Sequence, residues 1–273
     1  MSKFKLLMLA VLPLIIFSGC LQVNTKINLN KDGSGTIEET FVMKSSVVNM
    51  MREFVLAFDS TKTDEFNLFN ENELSAKATN YGEGVQYDSG EKVVVDGYEG
   101  FKIVYSFADI NKIKINPSPE DKVPFRDELG ETDSSVFDEN LQFNFTKGNP
   151  STLIINFPQT KKDKESSMGE NEIEVEDSTL NSEQIQKLIE MFDGMKISSS
   201  FNFNDVIKET DASYVNGSEI TLLQVDFSEI IKHKDVLEKL QKTNPKSMEG
   251  FKNIIGKLPG IKVESKETVT IKF

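Results

Sequence analysis

The chain is 273 residues long and carries 44 acidic against 31 basic side chains, a net charge of −13. That balance excludes nucleic acid as a partner, because a phosphate backbone is held by a basic face, and a hydrophobic content of 38% with 20 Phe excludes a disordered chain. A single His excludes a multi-His metal centre, and a single Cys excludes an intramolecular disulfide.

The first residues carry the strongest local signal. Lys3 and Lys5 precede an unbroken apolar run over residues 6–17, which closes on Phe17-Ser18-Gly19-Cys20. This is the pattern of a secretory signal peptide over residues 1–19, since a run of about 12 apolar residues is too short to cross a bilayer core that takes about 20. Small residues directly before a Cys suit the narrow site of a lipoprotein signal peptidase, so Cys20 is expected to become the mature N-terminus and to carry the lipid. A buried free Cys behind an ordinary leader is the plainer alternative, but the spacing from the basic residues disfavours it. The leader resembles those of bacterial lipoproteins, which implies a diacylglyceryl thioether and an acylated amine on Cys20. Two or three acyl chains anchor stably where one does not. No later segment reaches 18 consecutive apolar residues, and so acidic a chain is repelled by anionic headgroups. The expectation is a domain held on the extracytoplasmic side of an envelope membrane through Cys20 alone.

After Cys20, Val23, Thr25, Ile27 and Leu29 alternate with Gln22, Asn24, Lys26 and Asn28, the period of a half-buried strand. The Asn30-Lys31-Asp32-Gly33-Ser34-Gly35 turn and a returning strand with Ile37, Phe41 and Met43 make a hairpin. A cation loop at Asp32 is the alternative, but the further carboxylates of an EF-hand loop are missing. Val47, Met50, Met51, Phe54, Val55 and Phe58 form a helical stripe expected to cover the sheet. A weaker helix is expected over residues 72–80, and then a meander of strands at 85–88, 91–95 and 99–107 around an Asp96-Gly97 turn.

Residues 116–140 hold Pro117, Pro119 and Pro124 among many carboxylates and are expected to be a loop. Glu120, Asp121, Asp127, Glu128, Glu131 and Asp133 could in principle form a metal or acid site, but a solvated charge run is the simpler reading. Leu141, Phe143 and Phe145 answer Leu153, Ile155 and Phe157 across Gly148-Asn149-Pro150-Ser151 as a second hairpin. A polar surface excursion over 160–178 leads to a capped helix with Ile185, Leu188, Ile189, Phe192 and Met195. A strand at 196–204, a hairpin at 214–227 and helices at 228–241 and from an Asn244-Pro245 cap to Leu258 follow. The alternation of Val269, Ile271 and Phe273 ends the chain as a docked strand.

Strands that arrive as hairpins with helices between the groups imply an α+β class with largely antiparallel sheets and amphipathic helices packed on them. Residues 20–273 are expected to form one domain. A faint echo between Gly97…Phe107-Ala108-Asp109-Ile110 and Gly217…Phe227-Ser228-Glu229-Ile230 allows two related halves, about 20–115 and 140–273, joined by the acidic loop. The early strand after Cys20, the Asp32-Gly33-Ser34-Gly35 turn, the Gly97-Tyr98-Glu99-Gly100-Phe101…Ile110 block and the segment around Gly194 and Phe203 together resemble bacterial lipoproteins with an LppM-type domain. That resemblance implies an extracytoplasmic α+β domain and assigns no catalytic residue.

No Gly-x-Ser-x-Gly elbow, P-loop or dinucleotide fingerprint is present, and His233, flanked by Lys232 and Lys234, has the setting of a boundary histidine. No cofactor, metal or catalytic residue is therefore expected. The leading expectation is a non-enzymatic binding module for an amphiphilic envelope molecule, using an apolar groove between helices and a Phe-rich sheet. A protein-interaction scaffold and a carboxylate hydrolase are the alternatives. Replacing Cys20 by Ala is expected to abolish processing to the lipidated form and to leave the protein unprocessed or released; fractionation that finds the variant membrane-bound at the parent's size refutes the anchor.

Overall fold

In a computed structural model, the structure describes residues 21–58, 68–116, 140–157, 194–243 and 248–273. The expected signal peptide and Cys20, the acidic loop carboxylates, the 160–178 tract, the 181–193 part of the expected helix and the Asn244-Pro245 cap lie outside the described residues.

Alternating sequence becomes alternating burial from the first strand. β1 (Leu21–Leu29) turns Val23, Thr25, Ile27 and Leu29 inward and pairs antiparallel with β2 (Gly35–Lys44), which pairs in turn with β4 (Tyr98–Phe107), and β4 with β3 (Gln86–Val95). The meander's first two segments are thus one strand rather than two. Its register shifts between Tyr87 and Ser89, so Asp88 is the extra residue of a bulge that bends β3 without ending it. Asp96 at φ 50° and Gly97 at φ 78° close the β3–β4 hairpin in the doubly left-handed turn that matches strand twist.

On its other side β1 pairs with β7 (Lys196–Phe203), and here the ladder is parallel, from Gln22 opposite Lys196 to Leu29 opposite Phe203. β10 (Glu219–Asp226), β9 (Val215–Asn216) and β11 (Lys262–Val263) complete the sheet, in the order β11-β10-β7-β1-β2-β4-β3 with β9 beside β10. A second sheet, β5-β6-β12-β8, consists of β5 (Gln142–Thr146), β6 (Thr152–Asn156), β12 (Thr268–Lys272) and β8 (Glu209–Thr210). All its ladders are antiparallel. The class is mixed α and β, dominated by antiparallel sheets.

The two inner faces meet in a Phe-rich core. Phe203 lies 4.6 Å from Phe273, Phe143 lies 5.6 Å from Phe201, and Leu153, Ile155, Val269, Ile271 and Phe273 are fully buried. Gly33, at φ 91°, sits where a Cβ would come within 2.7 Å of the Phe145 ring, so the β1–β2 turn can press on the second sheet only as glycine. At this point the Phe-rich face of the large sheet is covered by the second sheet rather than by a helix.

Helices cover the rest. α1 (Ser45–Phe58) packs Val47, Val48 and Met51 against the sheet. It is rolled from the expected stripe, with Val48 buried and Met50 39% exposed; Phe54, Val55 and Phe58 lie outside the described side chains. α2 (Glu71–Ala76), capped by Asn70, runs into a tighter turn at Lys77–Tyr81. The single helix expected over 228–241 is two, α3 (Phe227–Ile231) and α4 (Lys234–Thr243). Ile230, Ile231 and Val236 are all buried, and at about 100° per residue one helix would point Val236 away from Ile230 and Ile231. The break at Lys232-His233 brings it back inward. With α5 (Met248–Ile255), these helices close a second cluster over Ile197, Leu223, Val225 and Val263.

β12 is the keystone of the second sheet, with β6 on one side and β8 on the other, and the Phe273 and Ser151 backbones exchange hydrogen bonds of 3.0 and 2.9 Å. Phe273→Ala is expected to cost about 3–5 kcal/mol, and deletion of residues 267–273 to abolish cooperative unfolding. A chemical denaturation midpoint unchanged in either variant would show the strand to be dispensable.

Candidate functional site

Opposite the core, the outer face of the large sheet is polar, and its middle is held by side-chain rungs across the parallel junction. Ser198 donates to Asn24 at 2.7 Å, Asn202 to Asn28 at 3.1 Å and Asn204 to Asn30 at 2.6 Å. The second rung extends in both directions, with Ser218 donating to Asn202 at 3.2 Å and Asn28 to Thr36 at 3.1 Å. Four strand or turn segments thereby share one chain of hydrogen bonds.

Over β1, β7 and β10 this face sinks into a groove of about 310 Å³. Its shape follows from side-chain size. Ser198, Ser200 and Thr221 form a low floor, and longer groups stand around it. The charges at its rim are compensated: Lys196 pairs with Asp226 at 3.0 Å and Lys26 with Glu219 at 3.1 Å. Gln224 donates to the Gly260 carbonyl at 3.3 Å. The lining offers hydroxyl, amide and backbone groups with no net charge to attract an ion, a surface suited to a neutral ligand rich in hydroxyls.

Two carboxylates face inward instead. Glu39, on β2 between the buried Ile37 and Phe41, accepts a hydrogen bond from Thr25 Oγ1 at 3.2 Å and is hydrogen-bonded by the Tyr81 hydroxyl. Burial, and then the nearby Glu39 charge, pushes the Tyr81 phenol well above its ordinary range and raises Tyr105 as well. Tyr105 donates to the Leu74 carbonyl at 2.8 Å. Glu264 is fully buried yet saturated: Ser213 N and Oγ reach it at 2.7 and 2.8 Å, Ser265 N and Lys266 N at 3.0 and 3.2 Å. It clips the β11–β12 connection to the loop after β8, and each carboxylate is engaged by its own partners.

Of the residues singled out in the sequence, Cys20 lies outside the described residues, one residue before β1. Asp32 accepts from Ser34 N at 3.0 Å and Ser34 Oγ at 2.6 Å, bonds that lower its pKa and close the turn on itself. His233 is exposed at the break between α3 and α4. Among the described residues no group of three or more His, Cys, Asp or Glu is placed to hold a metal ion, and no helix is long and apolar enough to cross a membrane. The groove residues were missed. Their polar alternation was visible strand by strand, but the parallel pairing that joins β1 to β7 has no local signal.

No family model matches the chain, and no curated protein matches it in sequence. Among solved structures, the folded domain of the Mycobacterium tuberculosis LppM protein, determined by NMR, is matched over 77% of this chain and 84% of that one, at 10% identity and a TM-score of 0.30. A likeness that shallow assigns no role to any residue.

The Glu39 cluster makes a titration prediction. Above the ordinary tyrosine value of 10.0 the unfolded chain releases phenolic protons that Tyr81 and Tyr105 keep when folded, so stability falls as pH rises beyond 10. Glu39→Gln is expected to lower the midpoint of these phenols without normalising it, since burial is the larger cause. Phenolate absorbance titration of parent and variant checks both, and identical curves would remove Glu39 from the account.

Proposed function

We propose that this protein is a lipid-anchored, extracytoplasmic binding module that holds the neutral, hydroxyl-rich headgroup of an amphiphilic envelope molecule in the groove over β1, β7 and β10, and performs no chemistry on it. The observation that carries the reading is the composition of that groove: a floor of serine and threonine inside a rim whose lysines are already paired with carboxylates. A charged ligand would have to break an ion pair to gain one, whereas a neutral polyol exchanges water hydrogen bonds for protein ones at little electrostatic cost.

Position supports the same reading. Lys196 at the groove's end stands opposite Gln22, two residues from Cys20, so the tails of a bound amphiphile need not leave the bilayer in which the anchor sits. The Phe-rich interior, covered by the second sheet and the helices, is thereby left to stability. The alternative of a carboxylate hydrolase gains nothing from Glu39 and Glu264, whose oxygens are engaged as described.

Octyl glucoside below its critical micelle concentration is the probe, with octyl sulfate as the charged comparator, titrated calorimetrically into the lipidated protein. Binding of the glucoside and not the sulfate is expected. Ser198→Leu, which fills the floor and removes the rung to Asn24, is expected to weaken binding at least about tenfold, roughly 1.4 kcal/mol, with the fold retained by circular dichroism. Equal binding of both amphiphiles, or full affinity in the variant, would overturn the reading.

A further inference from the structure

We infer that the β3–β4 hairpin tip is a membrane-contacting surface, so that the domain stands on the bilayer with β1 running away from it. The inference rests on the anchoring role of Cys20 and adds to it an orientation and a second point of contact.

The argument is one of register. Leu21 stands opposite Met43, Met43 opposite Glu99, and Glu99 opposite Val94. Leu21 and Val94 therefore occupy one row across the sheet, three strand spacings or about 14 Å apart, and the next row holds Lys44, Tyr98 and Val95. Cys20 is bonded to Leu21, the first residue of β1. No linker separates the acylated residue from the sheet, so wherever the acyl chains enter the bilayer this row of the domain is held beside them.

At the edge-strand end of these rows two valines are exposed, while Glu99 in the middle of the first is paired with Arg52. Val94 is 78% exposed and Val95 51% exposed, adjacent on the tip of an edge strand and followed by the Asp96-Gly97 turn and Tyr98. Adjacent residues of a strand point to opposite faces, and so neither side of this tip is shielded. The hairpin is also held firmly. Arg52 of α1 grips Glu99 through two hydrogen bonds, at 2.7 and 3.2 Å, and the Gly97 carbonyl accepts from Ser45 N at 2.8 Å. The turns at the far end of the sheet have the opposite character: Asn30-Lys31-Asp32-Gly33-Ser34 between β1 and β2, and Asn216-Gly217-Ser218 between β9 and β10. Val206 and Val215, also exposed, are not neighbours in sequence there. A pair of exposed valines beside Tyr98, with the Asp96 carboxylate at the turn left at headgroup level, is chemistry for the interface between headgroups and acyl chains. The occupant is the bilayer that carries the anchor.

The test uses the full-length lipidated protein in phosphatidylethanolamine–phosphatidylglycerol vesicles, with one added cysteine carrying a nitroxide, either Val95→Cys or Lys31→Cys. Cys20, alkylated by its lipid, does not take the label. The β1 strand sets the two sites about 30 Å apart along the strand direction. A several-fold loss of accessibility to a water-soluble paramagnetic reagent at residue 95, matched by a gain toward oxygen and absent at residue 31, is expected. Equal aqueous accessibility at both sites in protein that co-floats with vesicles would overturn the orientation while leaving the anchor intact. Protein that does not co-float would overturn the anchor and the orientation together.

Discussion

The parallel pairing of β1 with β7 is the constraint on which the rest of the molecule depends. Each strand belongs to its own antiparallel group, and the eight rungs from Gln22 with Lys196 to Leu29 with Phe203 fuse the groups into one sheet. A parallel ladder is slightly weaker per residue than an antiparallel one and is normally buried on both faces. Here one face is secured by aromatic packing, with Phe201 and Phe203 held between β1 and the second sheet. The other is secured by the amide and hydroxyl rungs, Asn24 with Ser198, Asn28 with Asn202 and Asn30 with Asn204. Such side chains can only pair when the two strands are in this register, so the rungs specify alignment as much as they stabilise it.

The same junction makes the groove. Because β1 and β7 lie side by side, the small polar residues of β7 become the floor of a surface whose walls come from β1 and β10. Had the two hairpin groups packed as separate sheets, Ser198 and Ser200 would be ordinary solvated residues on an edge. The groove and the fold are therefore coupled through a single contact, and the inner carboxylates mark where that coupling ends. Glu264 is spent on holding the β11–β12 connection, and Glu39 on the tyrosines beneath α2.

The register also bears on the anchor proposed at Cys20. A lipid on the residue directly before the central strand would leave the domain no freedom to hang from a tether, and the end of the sheet that holds the valine tip is the end that such an anchor would draw to the surface. The polar turns and the second sheet are gathered at the other end, where Gly33 meets Phe145.

Local chemistry was legible in the amino-acid sequence wherever a side chain's fate depends on its own strand. The alternation of Val23 to Leu29, of Phe101 to Phe107 and of Val269 to Phe273, together with the Asp96-Gly97 turn, followed from period and turn propensity alone. Helical stripes were less certain guides, since Val48 rather than Met50 faces the sheet, and a break at Lys232-His233 was needed to bury Val236 with Ile230 and Ile231. The two-residue strands β8 and β11 had no signal, because they exist only through their partners β12 and β10. Nor did any residue of β1 announce β7, which lies 174 positions further along the chain, or any residue of β12 announce a sheet separate from that of β1. Hydrophobic period fixes which way a strand faces; which strand lies beside it is decided by the packing of the whole chain, and so the groove belonged to the tertiary structure alone.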